Sequence, residues 1–366
     1  MTIFSVIFGI ILFSLLIFIH ELGHFTAAKL FHVQVNEFSM FMGPALWKKQ
    51  KGETLYAIRL IPLGGYCEME GEDGEGRENP RSFCAAAWWK RLVILVAGPM
   101  MNLLAGLVLF AIFFAPQKAY NVPVVAAIEQ GSALAATEDA PGLMEGDRIL
   151  KLDGERIYMY SDFNLVLTAN ANPHTNPEDR HDLVVLRDGQ KVELKNFAME
   201  KREFVNEDGS TSLRYGISFG AVDRSLKTLI SQTWNACLSN VRMVRISLQM
   251  LFNGKASVKD LSGPVGIVAM MSETANQSGS FYYALLNMLS FGGLITVNLG
   301  AMNLLPIPGL DGARAVGVLL TTLIECITRK KVNPRYEGYI QSAGTLVLFA
   351  LLIVIMFKDV IQIFRG

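Results

Sequence analysis

The stretch from Met1 to Ile19 carries no charged side chain and runs straight into His20-Glu21-Leu22-Gly23-His24. At about 1.5 Å per residue, a helix over residues 3–30 is long enough to span a bilayer. A cleavable secretory leader opens on Lys or Arg and closes on small residues. Here the start reads Met1-Thr2-Ile3-Phe4, so the expectation is a retained membrane helix. Composition agrees: 51% of residues are hydrophobic and 18% charged, against roughly 25% charged in soluble proteins. A formal net charge of zero gives no support to a nucleic-acid partner.

Three more segments qualify as spans: the charge-free runs Leu92 to Ala115 and Phe281 to Leu305, and the shorter Ser342 to Phe357. The loop after the first span holds Lys48, Lys49, Lys51, Arg59, Arg77, Arg81, Lys90 and Arg91. The loop before the last span holds Arg314, Arg329, Lys330, Lys331 and Arg335. The positive-inside bias places both loops in the cytoplasm, with the N-terminus and residues 116–280 outside. Lys358 and Arg365 point weakly the other way.

Residues 118–222 read as a soluble domain. Val122 to Ile128, Arg148 to Leu152 and Leu183 to Arg187 have strand character, with turns at Pro141-Gly142, Asp153-Gly154 and Asp188-Gly189. From Leu226 to Phe252 the apolar residues recur at helical spacing among Lys227, Arg242 and Arg245. Residues 223–260 are therefore expected to form an amphipathic helix region on the membrane surface; a helix packed on the outer domain is the alternative. Cys67, Cys84, Cys237 and Cys326 form no C-x-x-C pair and read as unpaired structural thiols.

His20-Glu21-Leu22-Gly23-His24 fits H-E-x-x-H. Residues four apart share a helix face, so both imidazoles can reach one ion, with Glu21 placed to take a proton from bound water. Zinc lowers the pKa of such water towards about 7. Inside an apolar span, three ionisable groups at ligand spacing call for a common cause. The longer form with a third histidine fails, because Ala27 and Leu30 stand at its glycine and histidine positions. His32 lies about 80° around the helix from His24 and reads as interfacial. His174 and His181 fall in the outer domain. The best third ligand is Asp311, after Asn303-Leu304-Leu305-Pro306-Ile307-Pro308-Gly309-Leu310. Pro306 and Pro308 cannot continue a helix, and irregular backbone at membrane depth must line protein or a cavity. A turn-stabilising aspartate in a cytoplasmic loop is the alternative reading of Asp311.

HELGH in the first span together with NLLPIPGLDG in the third resembles the site-2 protease family of intramembrane zinc metalloproteases, in its bacterial RseP type. Leu63-Gly64-Gly65-Tyr66, Ala97-Gly98-Pro99-Met100-Met101-Asn102 and Ser262-Gly263-Pro264-Val265-Gly266-Ile267 are similar to further family signatures, in the family's order. The resemblance implies that His20, His24 and Asp311 bind Zn2+ and that Glu21 is the general base. It implies substrate contacts for Asn303, Pro306, Pro308, Gly64 and Gly65. Residues 33–66 would form a membrane-associated β-hairpin region presenting an extended substrate strand.

Residues 118–222 resemble a PDZ domain, on Gly131-Ser132-Ala133 and Gly142-Leu143-Met144-Glu145-Gly146-Asp147-Arg148-Ile149. Only one copy fits, where the enterobacterial RseP form has two. The expected architecture is a polytopic α-helical membrane protein with about four transmembrane helices and an inserted extracytoplasmic α+β PDZ domain. Residues 1–115 would hold the first two spans and residues 281–366 the last two. The expected activity is hydrolysis of peptide bonds in or near the spans of single-pass membrane proteins, such as anti-sigma factors or remnant signal peptides. The partners are then those substrates, the lipid bilayer of a bacterial inner membrane, and a peptide ligand of the PDZ domain. The alternative is a non-catalytic PDZ-bearing membrane scaffold. A metal transporter would want ionisable residues spread over more spans.

Overall fold

The computed structural model describes residues 3–72, 78–132, 134–136, 141–170, 180–199, 201–205, 210–255, 263–332 and 335–365. Arg77, Ala133, His174 and Ser262 lie outside the described residues. In chain order the elements begin with α1 (Ile3–Leu30), β1 (Val35–Lys51), β2 (Thr54–Met69) and α2 (Trp88–Phe114). There follow β3 (Ala119–Ile128), β4 (Arg148–Leu152), β5 (Glu155–Arg156), α3 (Ser161–Asn170), β6 (Arg180–Arg187) and β7 (Gln190–Ala198). The chain continues with β8 (Arg202–Val205), β9 (Thr211–Arg214), β10 (Ile217–Asp223) and α4 (Leu226–Phe252). It ends with α5 (Pro264–Gln277), α6 (Phe281–Asn303), α7 (Asp311–Thr328) and α8 (Arg335–Arg365). Two compact units result: Met1–Phe113 with Ala256–Gly366, and Phe114–Lys255.

In the first unit, four helical stretches are long and apolar enough to cross a membrane: Val6–Leu30, Trp88–Phe114, Phe281–Asn303 and Gly338–Asp359. They coincide with the four segments expected from charge-free length. Helices α5 and α7 were not expected; both are too short or too mixed in polarity to read as spans. Ala28 of α1, Val35 and Phe38 of β1, Ile94 and Leu95 of α2 and Val318 of α7 share one buried cluster. Leu12 and Leu16 of α1 pack with Met271 of α5 and with Met288 and Ile295 of α6 in another.

β1 and β2 form an antiparallel ribbon that folds back on itself. Phe38 faces Cys67 on one side and Tyr56 on the other, and Met40 faces both Gly65 and Ile58. The bend falls where Phe41, Gly43 and Gly64 take positive φ of 71°, 83° and 78°. Arg81 and Lys29 hold the Glu53 carboxyl at the hairpin tip down to about 2, tying the end of α1 to the ribbon through a 2.8 Å contact from Lys29.

Gly263 and Gly266 donate their backbone N–H groups to one oxygen of Asp359 on α8, each at 2.9 Å. Asp359 is 3% exposed, so this carboxylate caps α5 from across the fold, where helix N–H groups lack partners and the dipole favours negative charge. Asp359→Ala is expected to cost about 1–3 kcal/mol, since two donors lose a charged acceptor. Asp359→Asn should cost less. Hydrogen exchange at the start of α5 measures both; equal exchange in wild type and alanine variant would refute the cap.

The second unit is built on a six-stranded sheet of order β10-β3-β4-β6-β7 with β5 beside β4; β8 and β9 pair separately. Val125, Ile149, Leu152, Phe163, Val166, Leu183, Val185 and Ile246 are in its core. Ile246 belongs to α4, so this helix is part of the unit. Asp162, at the start of α3, accepts from the N–H groups of Tyr158 and Met159 at 2.8 Å. It also receives Ser239 Oγ from α4 and lies 2.7 Å from Arg242 Nη2. Leu226, Ile230, Trp234 and Phe252 of the same helix remain exposed.

Candidate metal centre

Helix α1 puts His20 and His24 on one face, and both are 6% exposed. His24 Nδ1 donates to the carbonyl of Ile94 on α2 at 2.8 Å. Pro99 sits inside α2 and lacks the N–H that would continue its ladder. At Gly98 the two helices approach so closely that a Cβ would enter the His24 ring. Only glycine leaves room for the imidazole there.

Asp311 arrives from the other end of the chain as the first residue of α7. The preceding loop turns at Gly309, whose φ of +98° suits glycine, and the Gly309 N–H donates to Gln341 Oε1 at 2.8 Å. Arg314, one turn on, pairs with Glu72 beyond the end of β2. The helix N-terminus stabilises the Asp311 carboxylate.

Asp311 Oδ2 stands 3.0 Å from His20 Nε2 and 3.3 Å from His24 Nε2, and the two nitrogens are 3.2 Å apart. Donors held about 2.0–2.1 Å from a tetrahedral ion lie about 3.3 Å from one another. The triangle therefore has the dimensions of one face of a zinc tetrahedron, and two imidazoles with one carboxylate are a set that zinc accepts. No other group of three ligating side chains of this kind occurs among the described residues.

Glu21 faces the backbone of Cys67 in β2, and a Cβ placed on Gly65 would lie 3.8 Å from Glu21 Cγ. The segment Gly65–Met69 pairs with β1 on one side, and no strand among the described residues pairs with its other edge. Asn303, the last residue of α6, brings Nδ2 to 3.3 Å from His20 Nε2. Pro306 and Pro308 belong to the loop beside it, with Pro308 against Gly344 of α8. Gly64 shapes the ribbon bend, where a Cβ would meet the Met42 side chain.

His32 is apart from the cluster, in a left-handed turn at φ 61°. His181 lies in the second unit, 2.6 Å from Asp153. Burial alone would raise the Asp153 carboxyl, but bonds from His181, the Asp182 N–H and Asn170 hold it below the usual carboxylate range. None of the four cysteines is in a disulfide.

Sequence reasoning missed Gly98 and Asn102 as parts of the centre. Asn102 Nδ2 is 3.1 Å from His20 Nδ1. The signal available was the Ala97–Asn102 motif, whose glycine and asparagine stand four apart on one face of α2.

A membrane-spanning helix bearing two histidines and a glutamate, completed by a distant aspartate, defines a membrane metalloprotease. Comparison with known proteins bears this out: the chain belongs to peptidase family M50, the site-2 proteases, with a match over residues 8–351. It is 34% identical to a protein of Clostridium acetobutylicum provisionally named a zinc metalloprotease, over 99% of this chain and 98% of that one. It is 27% identical to the zinc metalloprotease RasP of Bacillus licheniformis, over 98% of this chain and 99% of that one. With the regulator of sigma-W protease RasP of Bacillus subtilis it shares 25% identity over the same shares of the two chains. The chain is accordingly a zinc metalloprotease, and the reading as a non-catalytic scaffold falls.

Proposed function

We propose that this protein is an intramembrane protease that cuts peptide bonds in or near the transmembrane segments of single-pass membrane proteins. The observation that carries the reading is the triangle that Asp311 of α7 completes with His20 and His24 of a spanning helix, with Glu21 between it and a strand edge that no other strand pairs with among the described residues. His20, His24 and Asp311 would hold zinc. When bound, the ion supplies Lewis acidity, polarising the scissile carbonyl and lowering the pKa of water. Glu21 takes the proton of the attacking water and passes it to the leaving amine.

A transmembrane helix must unwind before its peptide bonds can be attacked. The free edge of Gly65–Met69 offers backbone partners to an unwound stretch by strand addition, with Gly64 and Gly65 allowing close approach. The Asn303 amide would hold the substrate backbone or the developing oxyanion, and Pro306 and Pro308 keep its loop out of helix.

The positive-inside bias supports a multi-pass bacterial inner-membrane protein with its active centre near the cytoplasmic side. The sheet and helix α3 of the second unit support a PDZ domain at residues 118–222, outside the membrane, that docks peptides or excludes untrimmed substrates. The exposed Leu226, Ile230 and Trp234 support a membrane-surface position for that edge of α4. Kinship to a sigma-W regulating protease favours anti-sigma factors, with leftover signal peptides as the second substrate class.

Cleavage of a tagged single-pass substrate in membranes holding this protein tests the reading. A zinc chelator should stop the reaction, added zinc should restore it, and product masses should place the cut in or beside the apolar segment. Cutting that survives full metal removal, or that is confined to soluble proteins, would refute it.

A further inference from the structure

The two histidines that would face the metal are secured differently. A neutral imidazole carries one proton, and a ring that offers its Nε2 lone pair must keep that proton on Nδ1. For His24 the requirement is met by the Ile94 carbonyl, which can only accept. For His20 the neighbour of Nδ1 is Asn102, at 3.1 Å. Asn102 is fully buried. Its Nδ2 is the atom placed towards the ring, while its Oδ1 is buried with no hydrogen-bond partner among the described residues.

An amide's two ends have the same shape, and their assignment follows from the bonds they can make. With Nδ2 towards the ring, His20 would have to carry its proton on Nε2, the atom in the donor triangle. With the amide reversed, the orphaned oxygen accepts from Nδ1–H and Nε2 is left with its lone pair. The remainder of Asn102 is firmly anchored in α2. Its carbonyl accepts from Thr296 Oγ1 of α6 at 3.2 Å, and Gly300 of α6 packs against its Cβ.

We infer that Asn102 is a positioning residue of the zinc centre: its side-chain oxygen accepts the Nδ1 proton of His20 and so presents His20 Nε2 to the metal. The inference rests on the proposed zinc ligation. It assigns to α2 the support of both histidines, by a backbone carbonyl for one and a side-chain amide for the other.

Zinc affinity of the purified full-length protein, measured by competition with a chromophoric chelator, tests this without reference to proteolysis. Asn102→Asp can only accept in its ionised form and should keep the affinity within a few-fold of wild type. Asn102→Leu, of similar size and unable to bond, should lose about 10–100-fold. If the aspartate variant loses as much as the leucine variant, the amide acts as a donor and the inference fails. It also fails if the leucine variant binds zinc as tightly as wild type. Hydrogen exchange across α1 and α2 reports folding of each variant, and Asn102→Asp alone decides the matter should the leucine variant not fold. His20→Ala, run alongside, separates the two readings: if it binds zinc like wild type, the ligation itself is wrong, whereas a defect there with a silent Asn102→Leu removes only the role of Asn102.

Discussion

Replacing Glu21 by Gln is expected to abolish proteolysis while leaving zinc in place. Gln keeps the length and shape of the side chain and can still accept from the Cys67 backbone that faces it, but it cannot take up a proton at neutral pH. The three donors of the triangle are untouched. Positioned acid–base groups contribute about 10²–10⁴-fold, so cleavage of the single-pass substrate should fall by that factor at unchanged zinc stoichiometry. Both quantities are read from one preparation, by product bands and by metal analysis. A zinc-loaded Glu21→Gln variant that cuts at the wild-type rate would show that the base lies elsewhere. A variant that loses zinc as well would make Glu21 part of the metal's own support.

The largest expected effect on stability lies in the second unit, at Asp162. This carboxylate is 1% exposed and Arg242 is 8% exposed, and the pair joins α3 to α4. Removing one partner of a buried pair leaves the other charge without compensation, at a cost of about 3–5 kcal/mol. Two backbone donors, from Tyr158 and Met159, lose their acceptor in the same step. Asp162→Ala should therefore speed hydrogen exchange in α3 and α4 of the full-length protein by about a hundred- to several-thousand-fold. The double change Asp162→Leu with Arg242→Met should be better tolerated, because no charge is then stranded. Unchanged exchange in Asp162→Ala would mean that α4 is held by its apolar contacts alone.

What the sequence disclosed, and what it withheld, follows the range of the interactions. HELGH announces itself because helical spacing alone brings His20 and His24 together, and the apolar run around it makes their ionisable groups conspicuous. The prolines before Asp311 announce a break at membrane depth for the same local reason. The four spans are legible from length without charge. Asn102 and Gly98 are different: their meaning depends on α2 lying against α1, which no periodicity within residues 88–114 reports. The ribbon was foreseen over residues 33–66, but its doubling back, with Phe38 between Tyr56 and Cys67, hangs on left-handed backbone at Phe41, Gly43 and Gly64. Helix α4 was expected at the right residues. Its attachment to the second unit depends on Asp162, far back in the chain, whose partners cannot be read from local pattern.

The separation of the three donors along the chain also sets a clock. His20 and Asp311 stand 291 residues apart, and a ribosome adds about 5–20 residues per second. After the histidine helix emerges, about a quarter of a minute to a full minute passes before the aspartate is made. During that interval the nascent chain has two of the three proposed zinc ligands. On the proposed ligation, a chain stalled before residue 311 would therefore hold zinc through two donors and lack a complete centre.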